Sequence, residues 1–292
     1  MRDDDEPWSH SELVDAARNA DAIVSLLTDK IDEEVLQAGA EGRLKVVANA
    51  AVGYDNIDLK SAMRFHIAVC NTPGVLDETT ADLAFLLILA ASRLAYEAAS
   101  DLRSGQWAGW GINQYLGRDV HGALLGLVGY GRIARAVADR ARGFGCEVIH
   151  HARHDTGLPG FISDLASLLG RSDIVSLHVP LTDDTYHLIG RDEIALMKQG
   201  SVLVNTSRGQ VVDEQALAEA LLQGRIFGVG LDVYENEPSV NPLLLKSPRA
   251  VLLPHIGSAT RATRTTMARM ACQAVCDVLE GRTPDNLVRS EN

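Results

Sequence analysis

The chain has 292 residues, 46% hydrophobic and 23% charged, a soluble globular profile with room for two domains of ordinary size. A formal net charge of −12 disfavours nucleic acid and anionic membrane as partners, so any anionic ligand must be held by local groups against the overall field. No apolar run reaches transmembrane length, and the acidic start Met1–Glu6 lacks the basic and apolar segments of a signal peptide, so a cytoplasmic protein is expected.

The first part of the chain alternates strand and helix. Ala22–Leu27 reads as a short apolar strand. Asp32–Ala38 reads as a helix with an acidic first turn and Gly39 as its stop. Leu44–Ala48 and Ile67–Cys70 are further strands, and Asn71-Thr-Pro-Gly74 is a turn. A long apolar helix is expected from about Glu78 to Ser104, its acidic start suited to the helix dipole. Residues 105–122 set Trp107, Trp110 and Tyr115 among glycines, either as a packing arm for a partner subunit or as an ordered crossover loop.

From Ala123 the alternation resumes with the most informative segment. The apolar run Ala123–Val128 reads as a buried strand, Ile133–Gly143 has helical spacing, and Gly129-Tyr130-Gly131-Arg132-Ile133-Ala134 joins them. Strand, glycine turn and helix in this order form a dinucleotide-binding fingerprint. Gly129 permits the tight turn, Gly131 admits a pyrophosphate to the helix N-terminus, and Ala134 replaces the third glycine. Alone, such a turn is also compatible with no ligand. Further strands are expected at Glu147–Ile149, Ile174–Leu177, Val202–Asn205, Gly228–Leu231 and Val251–Leu253, and a last helix at Arg264–Leu279, ended by Gly281. The pattern predicts an α/β fold with parallel sheets covered by helices on both faces, and no internal repeat. Cys70, Cys146, Cys272 and Cys276 have no zinc or redox spacing and read as small packed apolar residues. His150, His151 and His154 read as loop positions, and no metal is expected.

Three polar segments fall where open α/β sheets place their ligands, just past apolar strands. They are Val204-Asn-Thr-Ser-Arg208-Gly209, Leu231-Asp232-Val-Tyr-Glu235-Asn-Glu237-Pro238 and Leu253-Pro254-His255-Ile-Gly257-Ser-Ala-Thr260. Singly, an arginine at a strand end is ordinarily solvated, and a histidine between Pro254 and Ile256 is ordinarily a packed core residue. Together, arginine, carboxylate and histidine on one sheet edge suit the reduction of an α-keto acid. Arginine can hold a carboxylate at two points and polarise a carbonyl. Histidine can deliver the proton, and a neighbouring carboxylate favours its charged form and fixes its tautomer.

With these segments, the chain resembles the D-isomer-specific 2-hydroxyacid dehydrogenase family, above all its glyoxylate and hydroxypyruvate reductases. The motifs that carry the resemblance span nearly the whole chain. They include Val52-Gly-Tyr-Asp-Asn-Ile-Asp58, Asn71-Thr-Pro-Gly74, the glycine turn, His178-Val-Pro-Leu-Thr182, Asn205-Thr-Ser-Arg-Gly209, Gly230-Leu-Asp-Val233, Glu237-Pro238 and Pro254-His-Ile-Gly-Ser-Ala-Thr260.

The resemblance implies Arg208, Glu237 and His255 as the catalytic set, and Val52 and Gly53 with Arg208 as the substrate-carboxylate site. It implies cofactor contacts at Gly129, Tyr130, Gly131, Arg132 and Ile133 in the turn. Further cofactor contacts would come from Thr80, Val179, Pro180, Thr185, Thr206, His255 and Gly257, with Asp232 bonding the nicotinamide carboxamide. It also implies two similar α/β domains with the active site in their cleft: a substrate domain at 1–73, rejoined by 263–292, and a dinucleotide-binding Rossmann domain at 74–262. A homodimer would form through the coenzyme domain and an arm like Trp107–Gly117.

Two departures stand out. Relatives begin with a strand, a helix and another strand ahead of the segment that starts this chain, so the small domain is expected to show three strands with one flank uncovered. The acidic residue expected on the ribose diol falls at Ala152, followed by Arg153, which favours NADP(H) while leaving NAD(H) open. The expected activity is NAD(P)H-dependent reduction of a small 2-keto acid. The rivals are formate or phosphite oxidation on the same fold, disfavoured because the formate enzymes carry glutamine at the place of Glu237, and a non-catalytic dinucleotide-sensing scaffold like the corepressors that share the fold.

Overall fold

Short apolar runs alternating with helices form two separate parallel sheets in a computed structural model, which describes residues 8–289. The chain divides into a unit of Met1–Leu76 with Ser258–Asn292 and a unit of Asp77–Gly257.

The first unit holds β1 (Ala22–Ser25), β2 (Val46–Asn49) and β3 (Ala68–Cys70), ordered β1-β2-β3 and all parallel. Strand periodicity sorts its side chains. Val47 and Val69 pack on one face with Leu13, Ala17, Val35 and Leu36, which belong to α1 (His10–Asn19) and α2 (Glu33–Glu41). Val46, Ala48 and Cys70 face the other way, onto Ala271 and Ala274 of α11 (Arg261–Leu279). The short α3 (Leu59–Arg64) completes the unit. Helix α1 was not expected. Ser9 and Glu12 form a reciprocal capping box at its start, which satisfies two otherwise orphaned backbone donors.

The second unit carries β4 (Leu124–Val128), β5 (Glu147–His151), β6 (Ile174–Leu177), β7 (Ser201–Asn205), β8 (Ile226–Leu231) and β9 (Ala250–Leu252). They form one parallel sheet in the order β5-β4-β6-β7-β8-β9. Its first strand, β4, lies between β5 and β6, so the winding direction reverses at β4 and opens a crevice at the strand carboxyl ends. One face is covered by α4 (Asp77–Ser92) and α6 (Arg132–Gly143), packing Leu87 and Val137 against Leu125 and Leu127. The other is covered by α7 (Leu165–Arg171), α8 (Arg191–Leu196) and α9 (Glu214–Leu222), with Leu168, Ile194 and Leu217 on Val175, Leu203 and Val229. Helix α5 (Ala95–Arg103) packs on α4, and α10 (Pro242–Lys246) lies beside β9 and α9.

Three expectations need correction. The helix expected over Glu78–Ser104 is two helices, α4 and α5, bent by 71°. Leu94, buried and left-handed at φ 52°, turns the chain, and the Arg118 N–H takes the Ser92 carbonyl at 2.7 Å. His150 and His151 are strand, not loop. The pairing with β4 runs on to His151, and the buried His150 exchanges backbone bonds with Gly160 and Ile162. Cys272 and Cys276 are exposed, because the buried stripe of α11 runs through Met267, Ala271 and Ala274. No single described helix is long and apolar enough to cross a membrane.

Candidate active site

Gly129 leaves β4 at φ 86°, and a side chain there would meet the His178 carbonyl at 2.5 Å, so the close approach of the two strand ends requires glycine. Gly131 starts α6 with no side-chain cap, and nothing lies within 4 Å of where its Cβ would stand. The helix therefore presents uncapped N–H groups and its positive dipole end to open space, which suits a phosphate. Ala134 is fully buried against α4, where a larger residue would hold the helices apart. Tyr130 stacks on His150 with 3.6 Å between ring centroids. The Arg132 side chain turns away to Asp77, Nε to Oδ2 at 2.9 Å, so this position offers the turn its backbone, and Ile133 beside it is half-buried.

Other expected cofactor positions lie around the same sheet edge. Val179 packs against Gly129. Thr185 shapes the turn that starts at Pro180, donating to its carbonyl at 2.7 Å and accepting the Thr182 N–H at 2.8 Å. The buried Thr206 hydroxyl has no hydrogen-bond partner, an orphan that a ligand at the strand ends would satisfy. Past β5, Ala152 is half-buried and Arg153 exposed, while Asp155 is engaged by the Gly157 N–H at 2.8 Å. The uncapped turn and the orphaned hydroxyl fit a dinucleotide.

At the far side of the sheet, β7 and β8 deliver the polar segments. Asn205, a buried amide at the end of an apolar strand, donates to the Arg208 carbonyl at 2.8 Å and accepts the Ser207 N–H at 3.0 Å, shaping the loop on which Arg208 sits. At Gly209 a Cβ would fall 1.8 Å from the Tyr234 backbone carbon, so only glycine lets this loop touch the next.

His255 follows β9 at φ 54°, a left-handed conformation uncommon for a residue with a side chain. Asp232 holds it there. Its carbonyl accepts the His255 N–H at 2.9 Å, and its two carboxylate oxygens accept Ile256 and Gly257 N–H at 2.7 and 2.8 Å. Burial lifts the Asp232 carboxyl above its ordinary range, more than these N–H groups and the nearby His255 lower it. The Thr80 hydroxyl reaches the Gly257 carbonyl at 3.3 Å, tying α4 to the same loop.

The imidazole and carboxylate meet directly: His255 Nδ1 lies 2.9 Å from Glu237 Oε2. The other Glu237 oxygen accepts the Tyr234 N–H at 3.0 Å. Burial pushes the Glu237 carboxyl up, but the His255 hydrogen bond and charge, the Tyr234 N–H and the positive charge of Arg208 outweigh it and hold the group below the usual glutamate range. Tyr234 donates its hydroxyl to the Leu253 carbonyl at 2.9 Å, so the two loops are bonded in both directions. With Nδ1 committed to a carboxylate, Nε2 is the ring nitrogen left for a reacting group.

In the first unit, Asn49 and Asn71 take the carbonyls of Gly53 and Val52, each at 2.8 Å, and so order that loop. Sequence reasoning missed Asn205, Gly209 and Tyr234 as supports of the site. A polar Asn205 ending the run Val202–Val204 was the available signal.

Known proteins resemble this chain in sequence and fold. The model of the D-isomer specific 2-hydroxyacid dehydrogenase NAD binding domain matches residues 85–257. A glyoxylate reductase of Korarchaeum cryptofilum is 48% identical over 295 aligned positions, covering 99% of this chain and 88% of that one. The crystal structure of a protein from Thermus thermophilus superposes with a TM-score of 0.92 at 45% identity, covering 97% of this chain and 91% of that one. An NADPH-dependent glyoxylate/hydroxypyruvate reductase of Sinorhizobium meliloti, solved with NADP and malonate, gives 0.86 at 34% identity, covering 94% and 85%. Matched by the family model over more than half its length and by such relatives over nearly all of it, the chain belongs to the D-isomer specific 2-hydroxyacid dehydrogenases, oxidoreductases that use a nicotinamide dinucleotide.

Proposed function

We propose that this protein reduces glyoxylate, hydroxypyruvate or a similar small 2-keto acid to the D-2-hydroxy acid, with NADPH favoured over NADH. The observation that carries the reading is the 2.9 Å bond between His255 Nδ1 and Glu237 Oε2. The similarity to glyoxylate and glyoxylate/hydroxypyruvate reductases supports the choice of substrate class.

In this reading Gly129, Gly131 and the first N–H groups of α6 would hold the pyrophosphate, Thr206 would line the cofactor site and Asp232 would face the nicotinamide carboxamide. When bound, the dihydronicotinamide supplies the hydride to the carbonyl carbon. Arg208 binds the substrate carboxylate and carbonyl, orienting the keto acid and stabilising negative charge as it develops on oxygen. His255 Nε2 delivers the proton to that oxygen. Glu237, ionised because its carboxyl is held low, keeps Nδ1 protonated and balances the imidazolium charge. Asp232 holds the His255 loop in its left-handed conformation. The exposed Trp107, Trp110, Ile112 and Leu116 support a homodimer formed through the arm, and the assignment goes with a cytoplasmic location.

The test is consumption of NADPH by the purified protein over a panel of small 2-keto acids. Turnover with glyoxylate or hydroxypyruvate is expected, and His255→Ala should lower kcat by roughly 100-fold or more, the usual size of a general-acid contribution. A protein that binds NADPH yet turns over no keto acid would be a sensing scaffold, and the reductase reading would fall. A wild-type kcat in His255→Ala would remove His255 from proton delivery.

A further inference from the structure

One residue outside the proposed catalytic set, His187, joins the loops of Arg208 and Glu237 to the coenzyme-side turn. His187 ends the turn shaped by Thr185, and its φ of 49° places another residue with a side chain in the left-handed region. Its backbone N–H donates to the Gln210 carbonyl at 2.8 Å, two residues past Arg208. Its Nε2 lies 2.8 Å from Glu235 Oε1, two residues before Glu237. Tyr186 stacks on the ring, centroids 4.2 Å apart and planes 17° apart.

Glu235 is itself anchored. Its N–H donates to Glu214 Oε2 at 2.8 Å, its Oε2 accepts the Glu214 N–H at 3.3 Å, and Glu214 Oε1 accepts the Asn241 N–H at 2.7 Å. The start of α9 therefore fixes Glu235, and His187 reaches a fixed point rather than a loose carboxylate.

A partly exposed histidine–carboxylate contact by itself contributes little to stability. Its value here is geometric. The turn Pro180–Thr185, the Arg208 loop and the Glu237 loop meet at one residue, which ends the first, bonds the second through its backbone N–H and the third through its ring, from a costly backbone conformation.

We propose that His187 is a positioning residue for the reduction: its ring, through Glu235, sets the Glu237 loop in register with the coenzyme-side turn and with the Arg208 loop bonded to the same residue's backbone. This rests on the reductase reading. The test measures kcat, KM for glyoxylate, NADPH affinity by fluorescence and melting temperature in His187→Ala, His187→Gln and Glu235→Gln, and adds the double variant His187→Ala/Glu235→Gln. Misplacing supporting loops by a fraction of an ångström should lower kcat about 10-fold in His187→Ala, with NADPH affinity changed by less than about 3-fold. His187→Gln keeps a nitrogen donor for Glu235 and should recover most of the rate. The double variant should be no worse than the poorer single one, since both break the same link.

Unchanged kcat in His187→Ala overturns the proposal, whatever the melting temperature does, and so do additive losses in the double variant. Should His187→Ala fail to fold, wild-type kcat in Glu235→Gln has the same force. A wild type inert toward every small 2-keto acid overturns the reductase reading and this proposal together, whereas an active wild type with unaffected variants overturns this proposal alone.

Discussion

Two adjacent residues just past β5 carry the proposed choice of coenzyme. A ribose with both hydroxyls free is best held by a carboxylate, and Ala152 supplies none. Asp155, the nearest acid in sequence, spends an oxygen on its own turn through the Gly157 N–H. Arg153 stands exposed beside the gap, able to pair with a 2′-phosphate. Wild-type kcat/KM is expected to be higher with NADPH than with NADH. Ala152→Asp combined with Arg153→Ala should reverse the order, adding repulsion and deleting attraction. A change of about 1.4 kcal/mol already moves the ratio by roughly tenfold. If wild type prefers NADH, Arg153 has no part in the choice. The residues proposed to do the chemistry stand out in the sequence because each lies in a polar segment that follows an apolar strand. Their supports do not. Nothing in one dimension says that Tyr234 would bond Leu253, or that Gly209 would lie against Tyr234, because those contacts arise only when β7, β8 and β9 stand side by side.

Elements were legible where period and punctuation agree. The order β4, glycine turn, α6 follows from an apolar run, two glycines and helical spacing. The break between α4 and α5 left no such mark, because Leu94 carries no sign of the left-handed conformation that tertiary packing imposes on it. Helix α1 did leave a mark in Ser9 and Glu12, a capping box whose helix is short and weakly apolar. Strand β1 shows an opposite problem. Among the described residues it pairs only with β2, and while Ala22 packs towards α11, Val24 on the same face is 46% exposed and Leu26 just beyond is exposed as well. An apolar edge with free backbone groups favours self-pairing. Val24→Lys should reduce concentration-dependent light scattering of this chain and leave its melting temperature within a degree or so, since exposed sites carry little packing energy. Unaltered scattering would mean that this edge does not drive association.

At the scale of the whole molecule, the acidic balance and the exposed aromatics point in different directions. A net charge of −12 keeps like chains apart, yet Trp110 is 81% exposed in a loop of the second unit with Ile112 and Leu116 exposed nearby. A group of large apolar side chains left in water marks an interaction surface. Sedimentation of the wild type should give a dimer, and Trp110→Lys with Leu116→Lys should shift it to monomer, with the secondary structure unchanged by circular dichroism. A monomeric wild type would make residues 105–122 an ordered crossover and nothing more.

The order β5-β4-β6-β7-β8-β9 has a consequence for how such a protein can diverge. The residues proposed to choose the coenzyme follow one edge strand, and the proposed proton donor follows the opposite edge strand. Mutations that redirect the protein from one pool of reducing equivalents to another can thus accumulate without disturbing proton delivery, and changes around His255 can retune the reaction without altering that supply. Lineages built on this sheet are free to vary the source of their electrons and the chemistry they serve as separate traits.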